Sequence, residues 1–277
     1  MGNNETVLSI NNLSFYFQGS RPDETQEIFS NISIDVSKGE VIGIVGLSGC
    51  GKTTFGKALI NYFAISGINH KLLGDVYYIT QSKEYRVNSK EYRRKFKVPP
   101  IQMIYQDPKI SLNPKMPVAK QLRESLTLNN KKIDDDIWNK LINEFQLRDF
   151  LNKTPENISG GQRRRVGIAK ILASLSTLPD EIPKIIIADE PVASLDASIK
   201  NEIMDRIVQL KKWGYSIIII SHDISLIKRE ANIIYVMDEI RHEIVEIWDP
   251  KNNHTENVTK ELDDDSKFIN QYFSATR

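Results

Sequence analysis

The chain has 277 residues, with 37 Lys and Arg against 36 Asp and Glu, enough length to bury a sizeable core in one or two domains. Its balanced charge gives no whole-chain argument for binding nucleic acid, and none is expected as a partner. The single cysteine, Cys50, excludes an intrachain disulfide and a cysteine-ligated cluster, and no apolar run approaches the ~20 residues of a membrane helix. The polar start Met1 to Thr6 does not read as a signal peptide, and its formal fit to an N-myristoylation pattern is taken as accidental. The expectation is a soluble cytosolic chain.

In chain order, residues 7–17 alternate in part and predict a strand, and residues 19–27 a polar loop. Ile28 to Val36 alternates again, and Ser37-Lys38-Gly39 turns the chain. Glu40 to Val45 then reads as a buried parallel strand. It leads into Gly46-Leu47-Ser48-Gly49-Cys50-Gly51-Lys52-Thr53, followed by Thr54, which fits the P-loop pattern. Phe55, Ala58, Leu59, Tyr62 and Phe63 follow at helical spacing, so the strand–loop–helix context of that pattern is complete. The glycines let backbone N–H groups curl round phosphate oxygens, and the helix N-terminus adds partial positive charge. Lys52 has the reach for the β- and γ-phosphates and Thr53 the hydroxyl for Mg²⁺. The motif predicts a nucleotide site.

Beyond it, Asp75 to Thr80 predicts a strand. Residues 83–97 are crowded with Lys and Arg, for which a solvated basic surface is the expected reading. Pro99-Pro100 punctuates the chain before a short strand at Ile101 to Tyr105. Val118, Leu122 and Leu126, then Ile137, Leu141 and Phe145, are spaced by four and predict amphipathic helices within a helical insertion at about 115–175. From Ile182 the pattern returns to α/β: a strand at Ile185 to Ala188, a helix at 198–212 ending before Gly214, and strands at Ser216 to Ser221 and Ile233 to Met237. Residues 249–277 read as a short, thinly apolar tail after a domain spanning 1–248.

Three motifs qualify the P-loop. Asp189 ends an apolar strand, where it can hold Mg²⁺ across from Thr53, and Glu190 can orient a water and accept its proton; strand-end carboxylates also serve as ordinary caps. Ser159-Gly160-Gly161-Gln162 is a capping box for the following helix, yet a cap needs no paired glycines, whereas a backbone closely approaching phosphate does. His222 follows a parallel strand, where ligands of open α/β sheets bind, although a lone His is often only a structural hydrogen-bonder.

In this order, P-loop, Ser159 to Gln162, Ala188-Asp189-Glu190, Ser194-Leu195-Asp196 and His222 make the chain resemble ABC ATPase domains over roughly residues 7–248. The resemblance implies an α/β fold: a P-loop NTPase (RecA-like) core with a parallel sheet, an N-terminal antiparallel β layer and an inserted α-helical subdomain. It implies ATP and Mg²⁺ as cofactors, Lys52 and Thr53 in Walker A, and Asp189 and Glu190 in Walker B. Ser159, Gly160, Gly161 and Gln162 would be the signature, Asp196 the D-loop, His222 the switch and Gln106 the Q-loop. Phe17 looks like the aromatic that stacks on adenine, with Phe15 and Tyr16 close by. Catalysis would thus fall to Glu190, His222 and Gln106, the metal to Thr53, Gln106 and Asp189, and the nucleotide to the P-loop, Phe17, the signature and Asp196.

A narrower resemblance runs from Met103-Ile104-Tyr105-Gln106-Asp107-Pro108 through Leu112-Asn113-Pro114, with Ala188 to Leu195 and His222-Asp223-Ile224. It is to the ATPases of oligopeptide, dipeptide and nickel importers. That implies a second, related ATPase chain, two membrane permease subunits, an extracellular solute-binding protein, and a place on the cytoplasmic face of the cell membrane. The substrates implied are peptides, nickel or metal chelates. A soluble ABC ATPase accessory to a phosphonate-cleaving complex stays open, and an exporter is disfavoured by the Gln106 segment. Two departures stand out: Asp238 to His242 replaces the glycine usual after the Val236-Met237 strand, and the C-terminal extension is short.

Overall fold

Strand β3 (Val41–Val45) is buried along its whole length, and the chain is assembled around it. A computed structural model describes residues 5–19, 21, 24–193, 197–252 and 254–257. Earlier in the chain, β1 (Thr6–Gln18) and β2 (Thr25–Ser37) pair antiparallel. After β3 come the P-loop, α1 (Lys52–Leu59), α2 (Tyr62–Ser66), β4 (His70–Ile79), β5 (Glu84–Arg86), α3 (Lys90–Lys95) and β6 (Ile101–Ile104). The helical insertion supplies α4 (Val118–Leu126), α5 (Asp135–Glu144) and α6 (Gly160–Leu175). The chain returns through β7 (Lys184–Asp189), α7 (Ala197–Gln209), β8 (Tyr215–Ile220), α8 (Ile224–Glu230), β9 (Ile233–Met237), β10 (Ile244–Asp249) and β11 (His254–Asn257).

Two sheets result. Four antiparallel strands run in the order β2-β1-β4-β5, and seven in the order β11-β10-β9-β3-β8-β7-β6. Strands β9, β3, β8, β7 and β6 are parallel, with β10 and β11 antiparallel at one edge. Both faces of the central strands are covered, as an all-parallel core requires. Ile42, Ile44, Ile185, Ile187, Ile218 and Ile220 turn to the antiparallel sheet and α1, whereas Val41, Val45, Ile186, Ala188, Ile217 and Ile219 join the cluster built with α4 to α7. The β-branched run Ile217 to Ile220 is therefore core on both sides, each side chain contributing about 1.5–3 kcal/mol of burial.

The helices of the insertion form where the spacing predicts them. Val118, Leu122 and Leu126 are buried on α4, and Asp134 caps α5 by accepting from the N–H groups of Asp136 and Ile137. Two strand starts move by three residues or more, and one short helix is new. Strand β2 starts three residues earlier, at Thr25, because β1 runs on to Gln18 and pairs with it. Strand β4 starts at His70 rather than Asp75, since it pairs with Tyr16 and Phe17 of the same extended β1. The basic segment contains a short helix, α3, capped by Ser89, which buries Tyr92 and exposes Arg93, Arg94 and Lys95. Solvated basic surface describes those three.

The missing glycine after β9 has a replacement. Asp238 Oδ1 accepts from the N–H groups of Ile240 and Arg241, closing the turn, and His242 takes the left-handed conformation at φ 57°. The turn docks on β2 through Ser30 N–H to His242 O at 2.8 Å. An aspartate carboxylate thus organises a turn that flexibility organises elsewhere.

Gln121, on α4, is nearly fully buried and holds the loop that follows the Gln106 segment. Its amide accepts from Asn113 N–H and donates to Asn113 O and Met116 O. Gln121→Met keeps the volume but strips three partners from buried backbone groups. Urea unfolding should show a loss of about 1–3 kcal/mol; an unchanged midpoint would mean that water satisfies the loop.

Candidate active site

The P-loop leaves β3 at the carboxyl edge of the parallel sheet. Its glycines are required by the chain itself: a Cβ on Gly46 would lie 2.3 Å from Met237 O, and Gly51 sits at φ 100° with Ile28 O where a Cβ would go. Gly51 is the N-cap of α1, so the free N–H groups of the first turn open on the loop. Lys52 is buried, its ammonium donating to Gly46 O at 2.8 Å and Leu47 O at 2.7 Å and lying 3.5 Å from Cys50 Sγ. Cys50 fills the underside of the loop. It is fully buried and burial pushes its thiol pKa up, against the pull of Lys52. It can therefore serve a nucleotide only through its backbone. Ser48 and Gly49 are exposed at the loop tip, and Thr54 is half-buried in the first turn of α1.

Facing the loop, Thr53 Oγ1 donates to Asp189 Oδ1 at 3.0 Å. Asp189 is almost fully buried, and burial raises its carboxyl pKa; the Thr53 hydrogen bond opposes this, Glu190 adds to it, and Lys57 and Lys52 oppose it. A hydroxyl and a carboxylate oxygen side by side are the hard donors Mg²⁺ takes, and they fit it. Among the described residues no three His, Cys, Asp or Glu cluster as a metal site. A cation here would complete its shell with water and phosphate oxygens.

Glu190 is held in the left-handed region at φ 44°, with its N–H donating to Ile220 O at 2.8 Å. That conformation stores strain and aims the side chain across the edge toward β8. There its carboxylate accepts from Ser221 Oγ at 3.1 Å and from the His222 backbone N–H at 3.0 Å, and lies 2.7 Å from His222 Nδ1. In the sequence Glu190 and His222 stand in separate motifs; the structure joins them directly. It adds Ser221, whose only sequence signal was its place beside His222 at the end of β8.

Gln106 follows β6 at the same edge, with an exposed side chain and a backbone carbonyl that accepts from Arg164 of α6. A second Arg164 N–H donates to Tyr105 O. Arg164 was not singled out in the sequence, because Arg163-Arg164-Arg165 reads as ordinary helix-surface charge, yet only 4% of it is exposed. Burial lowers its pKa, with Asp107 and Asp189 opposing the shift.

Ser159 and Gln162 form the expected capping box: Ser159 Oγ accepts from Gln162 N–H at 3.2 Å, and Gln162 Oε1 accepts from Ser159 N–H at 2.9 Å. A Cβ on Gly160 would meet nothing within 4 Å, so nothing in this chain demands a glycine there. No hydrogen bond among the described residues joins Ser159 to Gln162 with the P-loop. Phe17 is half-buried near the end of β1, edge-on to Phe15 and Phe63 at centroid separations of 5.0 and 5.6 Å, and paired in register with His70. Asp196 lies outside the described residues.

The ABC transporter family pattern matches residues 29–193. The oligopeptide transport ATP-binding protein OppF of Bacillus subtilis (strain 168) is 35% identical over 242 residues, covering 84% of this chain and 73% of that protein. The dipeptide transport ATP-binding protein DppF of Lactococcus lactis subsp. cremoris (strain MG1363) is 34% identical over 242 residues, covering 83% and 71%. Among solved structures, cbiO1 from Clostridium perfringens, part of the ABC transporter complex cbiONQ, superposes with a TM-score of 0.68 at 24% identity over 90% of each chain. The dimeric ABC transporter cassette MJ0796 superposes with a TM-score of 0.67 at 20% identity, covering 92% of this chain and 100% of that one.

Asp189 gives the site a pH signature. Its folded pKa lies above the ordinary 3.8, so the fold favours the protonated carboxyl and loses stability as pH rises through the folded value. Asp189→Asn keeps the acceptor for Thr53 and removes the charge. In the absence of nucleotide and divalent metal, the variant should melt above the wild type at neutral pH, with the gap closing toward about pH 4. A wild type that melts higher at neutral pH would mean that Asp189 is stabilised by its lysine neighbours instead.

Proposed function

This chain belongs to the ABC transporter family as one of its ATPase subunits, and from that premise we propose that it powers a peptide importer by ATP-driven closure of an ATPase pair. The observation that carries the reading is the Glu190 carboxylate fixed by Ser221 and His222 beside the Thr53–Asp189 pair, at the mouth of the P-loop. Lys52 exchanges the loop carbonyls for the β- and γ-phosphates of ATP, and the α1 N-terminus receives the remaining negative charge. Mg²⁺ bound through Thr53, Asp189 and the exposed Gln106 side chain would neutralise charge developing on the phosphates. Glu190 orients the attacking water and takes its proton, while His222 and Ser221 keep the carboxylate aimed. Phe17 supports the adenine ring.

The reading needs a second chain. Gly160 has open space where a Cβ would stand, and the capped N-terminus of α6 makes no hydrogen bond to this chain's own P-loop. Both features suit a surface that closes on ATP held by a partner ATPase, head to tail. Closure excludes water and adds contacts that exist only in the closed pair, the differential that can move attached subunits. A groove of about 530 Å³ beside the Gln106 segment, lined by Ile60, Ile65, Tyr105, Leu128 and Ile171, suits a short helix of a permease subunit. Ile65 is 74% exposed at its rim. No helix among the described residues is long and apolar enough to cross a membrane, so attachment to the cytoplasmic face would run through such permeases, fed by a solute-binding protein. Nickel and metal chelates are alternative cargoes, which differ in the solute-binding protein that co-purifies.

Glu190→Gln should bind ATP normally yet turn it over about 10²–10⁴-fold more slowly and accumulate a closed dimer, measured by ATPase assay and size-exclusion chromatography. Normal turnover would remove Glu190 from the base role. Ser159→Arg should leave ATP affinity of the isolated chain nearly unchanged while abolishing hydrolysis at the site it completes. Loss of the cap alone would instead cost about 1 kcal/mol and weaken both activities only through folding. Residual activity is compared with a variant disabled at both sites of the pair.

A further inference from the structure

Arginines 163–165 follow the signature and diverge, as successive residues on a helix do. Arg163 turns back to Pro155 O and Ile158 O, tying down the loop before α6. Arg165 reaches Gln146 and Glu202, linking α6 to the end of α5 and to α7. Arg164 alone is buried and points at the Gln106 segment. It belongs to a stripe along α6. Gly167 faces Ser111 and Pro108, Lys170 Nζ donates to Ser111 O at 2.6 Å, and Ser174 Oγ donates to Gln102 Oε1 at 2.9 Å. Residues three or four apart share a helix face, so one face of α6 holds the chain from Gln102 to Ser111.

Among the described residues strand β6 is the last of the sheet and pairs only with β7, ending at Ile104. The carbonyls of Tyr105 and Gln106 lie past that pairing. A planar guanidinium donates to two successive carbonyls through a rigid fork, which holds their relative orientation more firmly than a rotatable ammonium does. We propose that Arg164 is a positioning residue for the hydrolysis reaction: it fixes the backbone at Gln106 to the signature-bearing end of α6, so that the Gln106 side chain reaches the phosphates only when that helix is in place. The proposal rests on the ATPase reading and names the link between its two half-sites within one chain.

The test uses the full chain with the subunits that co-purify through a tag on it. Arg164→Met keeps the apolar stem and removes the fork. It is expected to lower kcat by about 10–100-fold, the scale of a small misplacement of a reacting group, and to raise the Mg²⁺ concentration for half-maximal rate. ATP affinity should stay close to wild type, melting temperature should fall by no more than the few degrees that two lost backbone partners cost, and Arg164→Lys should recover only part of the rate. In a Gln106→Ala background, Arg164→Met should have almost no further effect, because both act through one group. Equal fold-losses in both backgrounds would overturn the proposal, as would an unchanged kcat, or an ATP affinity that falls in step with melting temperature. The ATPase reading is checked separately: turnover that survives Lys52→Ala at both sites would sink that reading, whatever Arg164 does.

Discussion

The parallel hydrogen-bond register of β3, β8 and β7 decides where the P-loop, Asp189, Glu190 and His222 of the candidate site stand. Ile44 pairs with Ile220, and Ile220 with Asp189, so the P-loop, Ser221 and Asp189 leave the sheet within a residue or two of one another. A one-residue slip would turn each strand's side chains to the opposite face. Burial on both faces leaves no polar side to turn inward, and the left-handed Glu190, bonded to Ile220 O, locks the register at the end that matters.

That lock carries a local penalty. Lys52, Arg164, Asp189 and Glu190 are all nine-tenths or more buried, a set of charges that would be destabilising if left unpaired. Each is held by specific partners: loop carbonyls for Lys52, the carbonyls before and at Gln106 for Arg164, a hydroxyl for Asp189, and Ser221 with His222 for Glu190. Side chains so held are oriented in advance, as the proposed hydrolysis would need for electrostatic stabilisation without reorganisation. The strain at Glu190 and the burial of Asp189 are local instabilities that the isoleucine-rich sheet around them can carry.

Helix α6 has two jobs that share one backbone. Its capped N-terminus presents Ser159 and Gly160 outward, and its buried face grips the chain on both sides of Gln106. The ion pair of Arg165 with Glu202 brings α7 into the same body. A displacement of α6 would therefore be felt at the nucleotide edge through short, named contacts.

The sequence by itself determined the nucleotide chemistry. The P-loop needs glycines where backbone must approach backbone and phosphate, and Gly46 and Gly51 are such places. Asp189 and Glu190 were legible because a buried strand ended in carboxylates, and α4 and α5 because apolar residues recur every fourth position. Local spacing reports local geometry, and these features are local. Only the tertiary structure decided that Glu190 bonds Ser221 and His222, that Cys50 lies under the loop away from solvent, and that Arg164 is interior. In the sequence Arg164 is one of three adjacent arginines, indistinguishable from surface charge. What separates them is which face of α6 meets the edge strand β6, and that is set by chain segments some sixty residues apart, whose pairing no local period records.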